Sequence, residues 1–284
     1  MRNTARLLIA CPDGRGIVAA VAGFIAEHGG NLLDADQHTD KDHGEFFMRA
    51  AIEREGFGLN RNTFAAAWEP LARRYHMQWS IFWGQPLKRM AILVSRQSHC
   101  LIDLLWRWKS GELDVELPLI LGNHPDCADV ARDARVPFEY CPVRPGDKAR
   151  QEQQVLGLLA DAKADFLVLA RYMQILTPDF VRQMPNRIIN IHHSFLPAFA
   201  GGSPYKAAYA RGVKMIGATS HYVTDDLDAG PIIAQDTVST SHRDTIDDMV
   251  RKGRDLERLV LARAVHLHVA DKILVSNNKT VVFD

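Results

Sequence analysis

Gly84-Gln85-Pro86-Leu87-Lys88-Arg89, running into the apolar stretch Met90-Ala91-Ile92-Leu93-Val94, is where the rhythm of this chain changes and where its fold is decided. A short Gly/Pro break suits a domain boundary. The five apolar residues after it show no alternation, as a strand buried on both faces of a parallel sheet requires. Downstream, helical and strand-like spacings take turns: 101–108 helical, 117–121 strand, 127–135 helical, 138–140 a short strand, 150–162 helical, then strands at 166–170 and 187–191. That alternation predicts an α/β domain over residues 88–284, Rossmann-like and doubly wound around a mainly parallel sheet. Its tail adds a long helix over 245–269 and a hairpin through Asn277-Asn278. Upstream, an apolar run at 6–10 stops at Pro12-Asp13-Gly14, and Ile17, Val18, Val21, Phe24 and Ile25 then fall at helical spacing before Gly29-Gly30. Residues 31–39 and 45–53 flank a polar turn, 63–75 is helical again and 77–83 closes as a strand. The order βαββαβ predicts a ferredoxin-like sandwich over residues 1–84.

The bulk numbers agree with two soluble domains. The chain has 284 residues, 47% hydrophobic and 24% charged, enough apolar material for two cores. Lys plus Arg equals Asp plus Glu at 34 each, so the total carries no footprint for nucleic acid or an anionic membrane. The apolar run near the start is too short for a signal peptide, and no stretch reaches the ~18 apolar residues of a spanning helix. Cys11, Cys100, Cys127 and Cys141 form no C-x-x-C pair. They read as free thiols, with neither disulfide nor zinc, in a cytoplasmic protein. No His/Cys/Asp grouping has strong metal-ligand spacing, and no metal is expected.

An open parallel sheet places its site beyond the carboxyl ends of the strands, where Ser95, Asn123, Arg171 and Asn190 fall. The richest stretch is Asn190-Ile191-His192-His193-Ser194-Phe195-Leu196-Pro197. Asn190 and His192 are two apart and share one side of an extended strand end. An amide N–H beside an imidazole suits attack on a carbonyl: the amide binds the oxygen that becomes negative, and the imidazole moves protons near neutral pH. The same spacing fits ordinary loop chemistry at a strand end equally well. A second stretch, His221-Tyr222-Val223-Thr224-Asp225-Asp226-Leu227-Asp228-Ala229-Gly230-Pro231, holds three carboxylates in a polar loop closed by Gly-Pro. A carboxylate near His192 would orient it and raise its pKa, whereas such a loop alone is usually just solvated.

Together, NIHHSFLP and HYVTDDLDAGP resemble the signature N-I-H-x-S-x-L-P…H-x-V-T-x-x-L-D-x-G-P of the folate-dependent formyltransferase family. The His-His-Ser-Phe run and Gly201-Gly202-Ser203-Pro204-Tyr205 resemble its deformylase branch, and Cys11-Pro12-Asp13-Gly14-Arg15-Gly16-Ile17-Val18 resembles the opening of an ACT domain. The resemblance implies a ferredoxin-like ACT domain before a formyltransferase domain. It further implies 10-formyltetrahydrofolate as substrate, with no tightly bound cofactor. On the matching positions it implies Asn190, His192 and Asp228 as catalytic residues. It implies Arg171, Met173, Gln174, Ile175 and Leu176 along the pterin pocket, and Val223, Thr224, Asp225 and Asp226 in the folate loop. Ribonucleotide transformylases of the family commonly carry Pro where this chain has His193.

A separate argument favours water over an amine as acceptor. Holding a phosphorylated acceptor calls for a Gly-rich turn at a helix N-terminus, and the first strand–helix turn here, Ser95-Arg96-Gln97-Ser98-His99, contains no glycine. Arg96 could still meet an anion. The reading is therefore hydrolysis to formate and tetrahydrofolate, with Asn190 polarising the formyl oxygen, His192 in proton transfer and Asp228 holding His192 or the water. Formyl transfer to an amine, and a non-catalytic folate or amino-acid sensor, are the alternatives. His193 should point away from His192 if the strand continues, so packing and a site role both fit it. Asn123, His124 and Ser95 face the same rim as candidate substrate contacts, while His266 and His268 read as structural. The N-terminal domain reads as an oligomerisation unit giving a homo-oligomer, with Asp13 to Gly16 and Gly29 to Asn31 as the loops for an amino-acid effector.

Overall fold

The computed structural model describes residues 3–197 and 204–284. The chain forms two compact units: one runs to Leu87 and adds Ala270–Ser276 and Val281–Asp284, and the other is Lys88–Val269 with Asn277–Thr280. Residues 270–276 and 281–284 thus fold with the N-terminal unit, whereas the sequence places all of 88–284 in one domain.

The N-terminal unit is the expected βαββαβ: β1 (Thr4–Pro12), α1 (Ile17–Glu27), β2 (Leu32–Asp40), β3 (Glu45–Glu53), α2 (Phe64–Arg74) and β4 (Gln78–Phe82), with sheet order β2-β3-β1-β4. Alternation sorts its side chains. Leu7, Ile9, Phe46, Met48 and Ile52 point into the core shared with Val21, Phe24, Phe64 and Trp68 of the two helices. Phe64 and Trp68 are wholly buried and stack at 5.6 Å, each contributing about 1.5–3 kcal/mol. The opposite face carries Leu8 and Phe47, and the tail residues Leu274, Val281 and Phe283 cover them. There Arg6 Nε pairs with Asp271 Oδ2 at 3.1 Å, and Arg49 Nε donates to the Asp271 carbonyl at 3.0 Å.

The second unit contains β5 (Arg89–Val94), α3 (His99–Lys109), β6 (Glu116–Gly122), α4 (Ala128–Ala134), β7 (Phe138–Tyr140), α5 (Lys148–Asp161), β8 (Phe166–Ala170), α6 (Pro178–Val181), β9 (Ile188–His192), α7 (Pro204–Arg211), β10 (Met215–Tyr222), β11 (Ile232–Ser239) and α8 (Ile246–Val269). The hairpin strands β12 (Ile273–Ser276) and β13 (Lys279–Val282) follow, turning at Asn277 and Asn278, both with positive φ. The second unit's strands build a seven-stranded sheet of order β11-β10-β9-β8-β5-β6-β7, and β12 and β13 pair with each other. Pairing is parallel from β9 across to β7, and antiparallel among β9, β10 and β11. The strand order reverses between β5 and β8, so the topological switch point lies between Ser95 and Arg171, the residues that follow those two strands. Among the described residues no helix is long and apolar enough to cross a membrane. All four cysteines are buried and free, and burial raises each thiol pKa.

Candidate active site

The site is built on β9. Its isoleucines 188, 189 and 191 are buried in the sheet, which leaves Asn190 and His192 as the polar pair at the carboxyl end. The antiparallel register sets His221 opposite Asn190 and Thr219 opposite His192. A bulge between Ser220 and His221 re-aims the end of β10. As a result Asn190 Nδ2 lies 3.3 Å from His221 Nε2. The other His221 nitrogen, Nδ1, lies 2.9 Å from the Tyr222 carbonyl oxygen, which can only accept. Nδ1 therefore carries the hydrogen and Nε2 accepts from the Asn190 amide. Burial holds the His221 pKa below its ordinary value, which favours this neutral ring. The Asn190 amide is fixed with Nδ2 on the His221 side.

His192 is arranged in the complementary way. Its Nδ1 lies 3.3 Å from Asp228 Oδ1, while its Nε2 is buried and has no hydrogen-bond partner among the described residues. The hydrogen bond from His192 holds the Asp228 carboxyl below the ordinary range, against the opposing effect of burial. An ionised carboxylate accepts from Nδ1–H, so the lone pair of His192 sits on Nε2. Asp228 reaches His192 from the loop between β10 and β11. It adopts φ 55°, a left-handed conformation that costs a residue with a side chain about 1–2 kcal/mol. The loop is pinched shut behind it: Tyr222 N donates to Pro231 O at 2.9 Å, and a Cβ on Gly230 would lie 1.8 Å from the Tyr222 carbonyl oxygen. Behind β9, Thr219 Oγ1 donates to Ser194 O at 2.8 Å and accepts from Leu196 N at 3.0 Å, which pins the turn that follows His192.

His193 departs from the alternation expected of it. The strand ends at His192, so the next ring is not carried to the opposite face, and the two imidazole centroids are 5.2 Å apart. Burial, helped by the Arg171 charge, lowers its pKa to about 4. Ser95 and Asn123 are joined by a 2.7 Å hydrogen bond, and Ser95 Oγ accepts from Met173 N at 2.9 Å. They therefore hold the backbone of the 171–176 segment. His124 is half-buried and caps the short turn Pro125–Cys127.

In that segment Met173 and Ile175 are 51% and 59% exposed, an apolar lip beside the polar site, with Gln174 half-buried between them. Leu176 and Val223 of the two candidate folate segments pack against the same core cluster. Thr224 is half-buried and Asp225 and Asp226 are exposed, with Asp225 3.4 Å from Arg182. Gly201, Gly202 and Ser203 lie outside the described residues.

Sequence reasoning did not single out His221 as a site residue, nor a buried cluster next to His193. In that cluster Glu257 accepts from His99 Nε2 and from Tyr205 Oη, both at 2.7 Å, and pairs with Arg171 Nε at 3.4 Å. Burial pushes the Glu257 pKa up, but these partners outweigh it and the carboxyl stays below its ordinary value. His99, Cys100 and Glu257 also hold three metal-type donor atoms within 4.8 Å. A cation there would have to displace the Arg171 guanidinium and deprotonate a thiol whose pKa burial has raised. The donor set is that of an ion-pair cluster.

The formyl transferase family pattern matches residues 88–265, and the ACT domain pattern matches residues 5–56. A formyltetrahydrofolate deformylase from Synechocystis is 54% identical over the full length of both chains. The chain belongs to the formyltetrahydrofolate deformylase family. Among solved structures, a family member from Pseudomonas syringae pv. tomato is 49% identical and superposes with a TM-score of 0.96, covering 99% of this chain and 94% of that one. A glycinamide ribonucleotide transformylase from Symbiobacterium toebii is 26% identical with a TM-score of 0.67, over 70% of this chain and 95% of its own.

Proposed function

We propose that this protein hydrolyses 10-formyltetrahydrofolate to formate and tetrahydrofolate, with Asn190, His192 and Asp228 as the catalytic residues. The observation that carries the reading is the pairing of opposed states at one strand end. Asn190 offers a fixed N–H donor, and His192 offers an unpartnered Nε2 backed by an ionised Asp228. Water attacks the formyl carbon while His192 Nε2 takes its proton. Asn190 Nδ2 donates to the carbonyl oxygen as it becomes negative. The tetrahedral intermediate then breaks its C–N10 bond, and the imidazolium returns the proton to N10. Formic acid leaves as formate with its own proton released to solvent, so atoms and charge balance. Asp228 keeps the imidazole oriented and stabilises its charged form. Losing one oxyanion donor costs about 3–4 kcal/mol of barrier in other enzymes, which is the loss expected on replacing Asn190.

The exposed Met173 and Ile175 supply apolar contact for the pterin, with the backbone of Arg171, Gln174 and Leu176 beside it. Val223, Thr224, Asp225 and Asp226 approach from the other side. The ACT match supports a regulatory or oligomerising role for the first unit, with residues 13–16 and 29–31 as its effector loops. The test is formate release from 10-formyltetrahydrofolate by the purified protein, with and without amine acceptors. Acceptor-independent formate, lost in Asp228→Asn and in Asn190→Asp, is the expected result. A formylated amine with only traces of formate would reassign the reaction to transfer.

A further inference from the structure

Open parallel sheets take their ligands in the crevice at the topological switch point. In this protein that place is filled by its own side chains. Arg171, at the end of β8, adopts φ 62°, a conformation disfavoured for any residue with a side chain. Its guanidinium is 8% exposed and crosses the switch point, with Nε 3.1 Å from Gln97 Oε1 in the loop after β5 and 3.4 Å from Glu257. Glu257 is 1% exposed, and it also takes His99 from the first turn of α3 and Tyr205 from α7. Space for the Tyr205 ring exists only because α8 carries Gly253 one turn before Glu257: a Cβ there would lie 2.0 Å from the Tyr205 hydroxyl oxygen. His193, whose ring stands between His192 and Tyr205 at 5.2 and 6.0 Å, joins the cluster to the catalytic strand end.

We infer that Arg171, Glu257, His99 and Tyr205 form a built-in plug that fills the acceptor half of the crevice, making them specificity-determining residues that leave room for water and exclude an amine. The inference rests on the hydrolase reading above and explains how a formyltransferase fold becomes hydrolytic. Burying this much charge is costly, and an apolar core would pack α7 against α8 without it. The crevice is the one place where that cost has a use. With the plug removed, an amine nitrogen can attack the formyl carbon. The C–N10 bond breaks, the amine keeps the formyl group, and the proton it loses passes through His192 to N10.

The experiment measures the ratio of formylated amine to formate from 10-formyltetrahydrofolate in the presence of glycinamide. Wild type is compared with Arg171→Gly, which also removes the left-handed strain, and with Tyr205→Ala, which takes out the ring. The expected result is formate alone from wild type and a transfer ratio at least ten-fold higher in the variants, rising with glycinamide concentration. Added methylguanidinium should lower that ratio again in Arg171→Gly by refilling the space. A wild-type ratio in either folded variant, or transfer by wild type equal to theirs, would overturn the plug. Wild type releasing no formate at all would instead overturn the hydrolase reading, a separate readout. If Arg171→Gly does not fold, Tyr205→Ala decides the question alone.

Discussion

Asn190 and His221 face each other across β9 and β10, with Asn190 Nδ2 3.3 Å from His221 Nε2, and this contact decides which way the Asn190 amide is turned. An Asn side chain can rotate to exchange its oxygen and nitrogen, and only the nitrogen can donate to a developing oxyanion. The neutral His221, with its hydrogen committed to the Tyr222 carbonyl, accepts one Asn190 N–H and so fixes the amide in the orientation that the proposed mechanism requires.

His221→Phe keeps an aromatic ring but removes the acceptor. A donor left free to turn loses part of the roughly 3–4 kcal/mol that such a donor contributes, so kcat should fall about ten- to hundred-fold. KM for the folate should change little, because His221 is buried behind Asn190. Steady-state kinetics of the folded variant check this; a raised KM with unchanged kcat would make His221 a binding residue instead.

The sequence showed most of the frame and only part of the site, for physical reasons. The βαββαβ order and the buried strands β5 and β8 were legible because each is an uninterrupted apolar or amphipathic run. Strands β10 and β11 were not. Residues 215–222 read Met-Ile-Gly-Ala-Thr-Ser-His-Tyr and are buried on both faces from Ile216 onward, so no polar alternation marks them. Gly217 looks like a strand breaker, yet it is there because a Cβ would meet Phe195 at 2.7 Å and the Asp236 carbonyl at 2.9 Å.

Asn190, His192 and Asp228 could be proposed together because their types and spacing fit one chemistry. The Arg171–Glu257 pair joins positions far apart in the chain, and no local pattern announces it. The sequence marks Arg171 as a strand-end and pocket residue but not for its ion pair, and φ 62° cannot be read from an Arg in a sequence. The hairpin turn at Asn277-Asn278 is visible from its residue types, but not that residues 270–276 and 281–284 fold with the first unit.

His193 gives a pH dependence whose sign follows from its burial. Its pKa is about 4 in the fold against an ordinary 6.5, so between those values the unfolded chain binds the extra proton. Stability therefore rises with pH across that window, is complete above 6.5, and is lost as pH falls toward 4. At ~1.4 kcal/mol per pH unit the interval is worth about 3 kcal/mol. Burial also lowers His221 and His268, which add to the same slope. Urea unfolding of wild type and His193→Gln at pH 4.5, 5.5 and 7 isolates the one ring. The variant should lose distinctly less stability on acidification, and parallel curves would show that His193 is not the source.

Gly230 tests whether the pinched loop is what delivers Asp228 to His192. A Cβ at residue 230 would lie 1.8 Å from the Tyr222 carbonyl oxygen, and that contact is backbone, so no side-chain rotation relieves it. The loop from 222 to 231 must open for Gly230→Ala to fit, and Asp228 sits two residues before the clash. Its 3.3 Å contact with His192 Nδ1 is then the first to be lost, while β9 stays in place. The expected outcome is a kcat reduced at least ten-fold, about 1.4 kcal/mol or more in barrier, in a protein that still unfolds cooperatively. Combining the change with Asp228→Asn separates the two explanations. If Gly230 acts through Asp228, the double variant should be no slower than Asp228→Asn alone. Multiplying losses would mean that the loop serves catalysis by some route other than that carboxylate.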